Sequence, residues 1–470
     1  MIPHQVFHIK ALIENPAINY IFLRGAGGTG KTHAIAKFLE FFDYKHHEYV
    51  FLGPTGKSIS VAEEKGMFGS TIHRWFGILK STSKKDIDRH ILTRYGSWDN
   101  YILYMKNKIK DIELLIIDEI SIVNNNILEH ILVVLQEIKP DLKVIISGDY
   151  AQLPPVIIDK FNKFNDLTSS IGIVQDLITY RYMGIVDFIT RYRSPNENFN
   201  EWLHNFRQGK FQSSFDIANY MRTNFNVYSD ELPSELQQKT TFLAYSKEVV
   251  REVNELLLQE LPGGRSFTST ARFEKDIYPH NASAERNSII DTFQMDPSFK
   301  FKIGSKVLFR VNDPQGFFKN GDEGIVVDVT DKCVLVNKIT ATGEFLIEVK
   351  KHNFKTTPAE IDEGFDISLF QLPFSLGNAM TYHKSQGSGL LFLHLDFEFL
   401  NYSSISNEAK WQTLYVGLSR VIDPSKVYIH EKSIKTLERQ YRLFQQINYN
   451  KLNLIFDSVE MQPQHYITRS

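Results

Sequence analysis

Cysteine is nearly absent: Cys333 is the only one in 470 residues, so no intramolecular disulfide and no cysteine-based zinc site can form. That suits a reducing compartment, with cytoplasm expected and nucleus as the alternative. An excess of one charge is missing as well. Lys and Arg total 53 against 55 Asp and Glu, a net charge of −2, so a nucleic-acid partner has to be held in a local groove and not by bulk charge. Long apolar runs are lacking too: Leu114–Ile117 and Ile131–Leu135 break off at charges well short of the ~20 residues of a membrane span, and no membrane partner is expected. The opening MIPHQVFHIK has neither a basic region nor an apolar core, so no secretory leader is expected. With 42% hydrophobic and 23% charged residues, wholesale disorder and collagen-like repeats are excluded. The length leaves room for several domains of ~100–200 residues each.

From Tyr20 to about Leu153 apolar runs alternate with helical periodicity: YIFLRG, HAIAKFLEFF, YVFLGP, LLIIDE, ILEHILVVLQEI, KVIISGD. This is the rhythm of a parallel α/β sheet, whose ligand site lies at the carboxyl ends of the strands. Ser81–Asp111 reads as a small inserted hairpin turning at Tyr95, Gly96 and Ser97. A second α/β rhythm starts at Thr240–Ser246, continues in VVREVNELLLQEL, resumes near Phe374 and ends in a strand at Lys426–Ile429. Between its two parts, alternating residues with glycine turns read as a small β-barrel.

Gly25 to Thr32 reads GAGGTGKT, a full match to G-x-x-x-x-G-K-[ST] placed after a strand and opening a helix. In such a loop Gly25, Gly28, Thr29 and Gly30 shape a backbone cradle for phosphates, Lys31 reaches the β- and γ-phosphates, and the Thr32 hydroxyl holds Mg²⁺. Asp118 and Glu119 close the strand LLII: Asp118 is the expected second Mg²⁺ ligand, and Glu119 orients or deprotonates the attacking water. Two acids closing a strand are more often a solvated turn, but the upstream loop reverses that reading. The pair of motifs specifies an Mg²⁺-dependent nucleoside triphosphatase.

Further motifs follow in order: PTGK (Pro54–Lys57), STIH (Ser70–His73), GDYAQLPP (Gly148–Pro155), TRYRS (Thr190–Ser194), MTYHKSQG (Met380–Gly387) and YVGLSR (Tyr415–Arg420). Together they resemble the superfamily 1 helicases, and their wording resembles the 1B branch that contains Pif1, RecD and the Dda helicase of phages; the compact length looks most like Dda. The resemblance implies an α/β fold of two RecA-like P-loop domains with an inserted β-hairpin pin and an inserted SH3-like β-barrel. The implied division is 1–82 with 112–193 for the first domain, 83–111 for the pin, 194–275 with 368–470 for the second domain, and 276–367 for the barrel. It further implies a monomeric, ATP-driven motor with Mg²⁺, moving 5′ to 3′ on single-stranded DNA and opening duplexes at single-strand/double-strand junctions in replication, recombination or repair. A single-strand binding protein or replisome component is the implied protein partner. The alternatives are an RNA-directed helicase of the same superfamily and an ATP-switched clamp on single-stranded DNA that does not unwind.

By the same resemblance Arg193 and Arg420 are arginine fingers, Gln152 senses the γ-phosphate, Gln5 reads adenine, Tyr192 stacks on it, and Gly387 joins the nucleotide-binding set. The DNA contacts map to Thr55, Lys57, Thr71 and His73 in the first domain and to Thr381, His383, Lys384 and Ser385 in the second. Trp75, Phe76, Trp98, Tyr101 and Phe318 are the candidates for base stacking, with Trp98 and Tyr101 as the aromatics that split the duplex. Tyr382, Gly389, Gly417 and Ser419 depart from the residues usual in the family's motifs V and VI.

Overall fold

The structure, a computed structural model, describes residues 4–78, 83–155, 169–211, 213–262, 264–273, 296–340, 343–355, 368–440 and 442–454. Six parallel strands, β1 (Tyr20–Gly25), β2 (Tyr49–Gly53), β3 (Gly69–Thr71), β4 (Leu114–Ile117), β5 (Lys143–Gly148) and β6 (Met183–Phe188), form one sheet in the order β3-β2-β4-β5-β1-β6. β4 reads LLII and is buried throughout, as strands covered on both faces must be. On one face α1 (His4–Glu14) and α2 (Lys31–Phe41) bury Val6, Ile9, Ile35, Phe38 and Leu39. Behind β2 and β3 follow the short helices α3 (Gly56–Glu63) and α4 (Ile72–Phe76). Because β4, β5 and β1 are neighbours, the residues just past their carboxyl ends, Asp118, Asp149 and the Gly25 loop, meet at one edge.

The segment expected to be a β-hairpin is helical, which corrects the fold reading at that point. α5 (Lys84–Tyr95) and α6 (Trp98–Ile109) form an antiparallel helical pair against α7 (Asn125–Ile138). The turn stands where expected: Gly96 adopts φ 79°, and Ser97 Oγ accepts from Asn100 N at 3.2 Å to cap α6. The period is what differs. Ile87 and Ile91, then Tyr101, Met105 and Ile109, recur every four residues and bury one helical stripe.

A second parallel sheet of five strands runs in the order Ala379–Thr381, Thr241–Ala244, Leu393–Leu395, Val427–His430, Asn226–Tyr228. Its core centres on Trp411, Leu414, Tyr415 and Leu418 of the Asn407–Ser419 helix, which is buried on all sides. Between parts of this lobe lies an antiparallel sheet of five strands, Gly343–Val349, Val334–Thr340, Glu323–Val329, Lys306–Phe309 and Phe374–Leu376, packed on Phe309, Phe318, Val326 and Val336. Among the described residues no helix is long and apolar enough to cross a membrane.

Candidate nucleotide and nucleic-acid site

The loop between β1 and α2 is built on left-handed glycines. Gly28 and Gly30 have φ of 84° and 85°, and a Cβ on Gly28 would stand 2.7 Å from the Cβ of Arg193, so glycine is required there for both reasons. Thr29 Oγ1 donates to Ala26 O at 2.8 Å, and Lys31 Nζ donates to the carbonyls of Gly25 and Ala26 at 2.8 and 3.1 Å. Burial pushes the Lys31 ammonium down, while Asp149, Glu119 and Asp118 oppose that shift. Thr32 Oγ1 donates to Asp118 Oδ2 at 2.8 Å, and Glu119 N donates to Asp118 Oδ1 at 2.9 Å. Glu119 itself has φ 54°, rare for a residue with a side chain; burial and the adjacent Asp118 push its carboxyl up against the opposing pull of Lys31 and Arg420.

Three of the expected residues, from three separate elements, converge over Gly27. Arg420 Nη2, Gln152 Nε2 and Arg193 Nη1 lie 3.1, 3.3 and 3.5 Å from the point where a Cβ on Gly27 would stand. Arg420 and Gly387 belong to the second lobe, and the chain crosses from the first at 189–196. Arg193 donates to Ser419 O at 2.7 Å and to Gly387 O at 3.5 Å. Arg420 is fully buried and donates from Nη1 to Ser385 O and Ser388 O, both at 3.2 Å. Tyr192 N donates to Gly28 O at 2.8 Å, and its exposed ring passes 3.7 Å from the Cβ position of Gly30. Gln5 sits in the first turn of α1, which packs on α2 and β6.

Sequence reading missed the groups that hold these together. Asp149 is buried between the lobes: Oδ1 accepts from Arg207 Nη2 and Nε at 2.8 and 3.1 Å, and Oδ2 accepts from Tyr415 OH at 2.9 Å. Arg191 reaches Gly27 O at 3.4 Å and Ser419 O at 2.8 Å. Gln412 Nε2 donates to Tyr150 O at 3.0 Å. Asp149, Arg191 and Tyr415 lie inside the motif wordings, but the wording marks none of these links, since each acts on a partner distant in the chain.

Both lobes present the same short element where the DNA contacts are expected. Thr71 closes β3 and caps α4, accepting from Arg74 N at 3.4 Å; Thr381 closes its strand and caps the turn Tyr382–Ser385, accepting from Lys384 N at 3.2 Å. Each turn carries Thr-x-His followed by a cation: His73 with Arg74, and His383 with Lys384. Burial holds the His383 imidazole down to about 4, so it is neutral near neutral pH. Thr55 caps its own turn with Ser58, whose Oγ donates to Thr55 O at 2.6 Å, while the side chain of Lys57 lies outside the described residues.

Several expected contacts are corrected. Ser385 is fully buried, with Oγ donating to Tyr382 O at 2.7 Å and its carbonyl held by Arg420, so its hydroxyl cannot reach a strand in a groove. Tyr101 is also sealed: its hydroxyl donates to Phe76 O at 3.0 Å and meets His130 Nε2 at 2.9 Å, so it joins α6 to α7 and splits nothing. Trp98 donates from Nε1 to Glu137 Oε2 at 3.0 Å and packs beside Tyr101. Trp75 and Phe76 are core residues, and Phe318 stacks on Phe309 at 4.2 Å inside the antiparallel sheet.

Comparison with known proteins agrees with this geometry. A family model described as an AAA domain matches residues 2–216. The ATP-dependent DNA helicase Pif1 of Campylobacter jejuni is 25% identical over 427 residues, covering 88% of this chain and 89% of the relative. The crystal structure of Pif1 helicase from Candida albicans superposes with a TM-score of 0.66 at 18% identity, covering 95% of this chain and 98% of that one. The Bacteroides Pif1 helicase in complex with ADP-AlF3 and ssDNA gives a TM-score of 0.59 at 23% identity, covering 93% and 94%. In its ordered motifs, its paired parallel sheets and the seating of Arg420 of the second lobe on the phosphate loop of the first, the chain is similar to the superfamily 1B helicases.

Proposed function

We propose that the chain is an ATP-dependent DNA helicase that moves 5′ to 3′ along single-stranded DNA. The observation that carries this reading is the convergence of Gln152, Arg193 and Arg420 over Gly27, because two of these groups are tied to the second lobe. An ATPase whose transition-state charge is met by groups held in the other lobe links each hydrolysis to the relation between lobes. In this reading Gly25–Thr32 cradle the phosphates and Lys31 pairs with the β- and γ-oxygens. The hydroxyl of Thr32 and the carboxylate of Asp118, in mutual hydrogen bond, are hard oxygen donors that would hold Mg²⁺, and the ion would supply charge neutralisation to the phosphates. Glu119, its carboxyl raised by burial, takes the proton of the attacking water.

The track for DNA joins the turns of Thr71, His73 and Arg74 and of Thr381, His383 and Lys384, one on each lobe. The second turn leads into the loop whose carbonyls at Ser385, Gly387 and Ser388 receive Arg420 and Arg193. A strand gripping that turn therefore acts on the groups that complete the ATP site. ATP turnover is expected to be slow alone, to rise with single-stranded DNA, to rise less with RNA of equal length, and to stop on chelation of Mg²⁺. A turnover assay with DNA and RNA homopolymers checks this; equal stimulation by RNA would reassign the track, and stimulation by neither would remove the motor reading.

A further inference from the structure

Two arginines of the segment TRYRS enter the lobe interface, and the family motif accounts for only one of them. Arg191 is 8% exposed, and each edge of its guanidinium is used. Nε donates to Gly27 O at 3.4 Å; Nη2 donates to Ser419 O at 2.8 Å and Val421 O at 3.2 Å; Nη1 donates to Asn200 Oδ1 at 3.0 Å. The group lies over the Phe199 ring, 5.3 Å from its centroid. Asn200 also donates to the carbonyls of Arg191 and Ser194 at 3.3 and 2.9 Å, which fixes the crossing strand. Burial, then the neighbouring Arg193, push its pKa down to about 9, so it keeps its charge at neutral pH.

Ser419 and Val421 flank Arg420, and Gly27 is the residue over which Arg420 lies. One rigid fork thus grips both sides of the gap that Arg420 has to span. We propose that Arg191 is a positioning residue, which sets the Arg420 loop of the second lobe in register with the phosphate loop of the first. It acts through Arg420 and through backbone carbonyls. A lysine keeps the charge but supplies a single ammonium on a flexible stem, and cannot reach Gly27, Ser419, Val421 and Asn200 together.

The inference rests on the nucleotide-site reading, and the test separates the two. DNA-stimulated ATP hydrolysis, affinity for a fluorescent ADP and the melting midpoint are measured on the full chain for wild type, Arg191→Gln, Arg191→Lys and Lys31→Ala. Misplacing a reacting group by about 1 Å costs on the order of 10²-fold, so both Arg191 variants are expected to lose ~10–10² in kcat. KM for ATP and ADP affinity should stay close to wild type, since Lys31 and Thr32 are kept, while the melting midpoint falls in both variants because buried acceptors lose their donor. Wild-type kcat in Arg191→Gln beside an inactive Lys31→Ala overturns the assignment and leaves the ATP site standing. Full recovery in Arg191→Lys overturns it too, because charge alone then suffices, and a kcat loss matched by an equal loss of ADP affinity overturns it by making the residue a general structural support. Turnover persisting in Lys31→Ala removes the nucleotide-site reading, and the inference with it.

Discussion

Replacing Arg420 with alanine is expected to lower DNA-stimulated ATP turnover by ~10³–10⁵-fold, the range by which an arginine finger accelerates phosphoryl transfer. Arg420 Nη2 lies 3.1 Å from the Cβ position of Gly27, in the middle of the phosphate loop, and donates to Ser419 Oγ at 2.6 Å; Nε donates to Val416 O at 3.1 Å. Burial and the nearby Arg193 push its pKa down and Glu119 opposes them, so the site holds a cation at a desolvation cost that a phosphate would offset. Arg420→Lys should recover little, for want of the planar fork. Single-turnover hydrolysis beside ADP affinity checks the point: a loss confined to the chemical step marks transition-state stabilisation, and an equal loss of binding marks ground-state binding. If the loop 385–388 follows the DNA-gripping turn as proposed, the residual rate should also cease to respond to DNA, because Arg420 is the group that holds Ser385 O and Ser388 O.

Arg207→Met is expected to cost stability on the order of 3–5 kcal/mol, as breaking a buried ion pair does when its partner charge stays behind. Asp149 would keep Tyr415 but lose both bonds from Arg207. The pH dependence should change sign. Burial raises the Asp149 carboxyl, yet Arg207 and Lys31 outweigh it and hold it below the ordinary range. In the wild type its contribution is therefore present above the unfolded pKa of about 3.9 and lost as pH falls through the lower folded value. Without Arg207 burial dominates, the folded pKa rises above the unfolded one, and the contribution is lost as pH rises. Melting midpoints should show the variant gaining on wild type as pH falls from about 7 to about 5; a constant gap across that range contradicts the account of Asp149.

The chemistry of the first lobe was legible because it is written locally. A glycine loop after a strand, two acids closing another and a threonine before a short helix each need only a few neighbouring residues to be recognised, and the strand order then brings them to one edge. The links between lobes are written in pairs far apart in the chain. Arg207 and Asp149 are 58 residues apart, Arg191 and Ser419 are 228, and Tyr415 and Asp149 are 266. No periodicity marks such pairs, and Arg207 is simply the last residue of the helix Glu197–Arg207. The helical pair α5–α6 shows a different failure: Gly96 announces a turn equally well for strands or helices, and the four-residue recurrence through Ile87 and Ile91 and through Tyr101, Met105 and Ile109 decides the matter. Tyr101 and Phe318 follow the general habit of large aromatics, which fill cores far more often than they meet a ligand.

The most direct test of the whole account is strand separation with ATP and Mg²⁺ on matched partial duplexes carrying a single-stranded DNA tail at either the 5′ or the 3′ side. The account predicts separation from the 5′ tail, dependent on ATP and abolished in Lys31→Ala, with none from the 3′ tail. Separation from the 3′ tail alone would contradict the direction of travel, and none from either tail while the tails still stimulate hydrolysis would contradict the helicase itself.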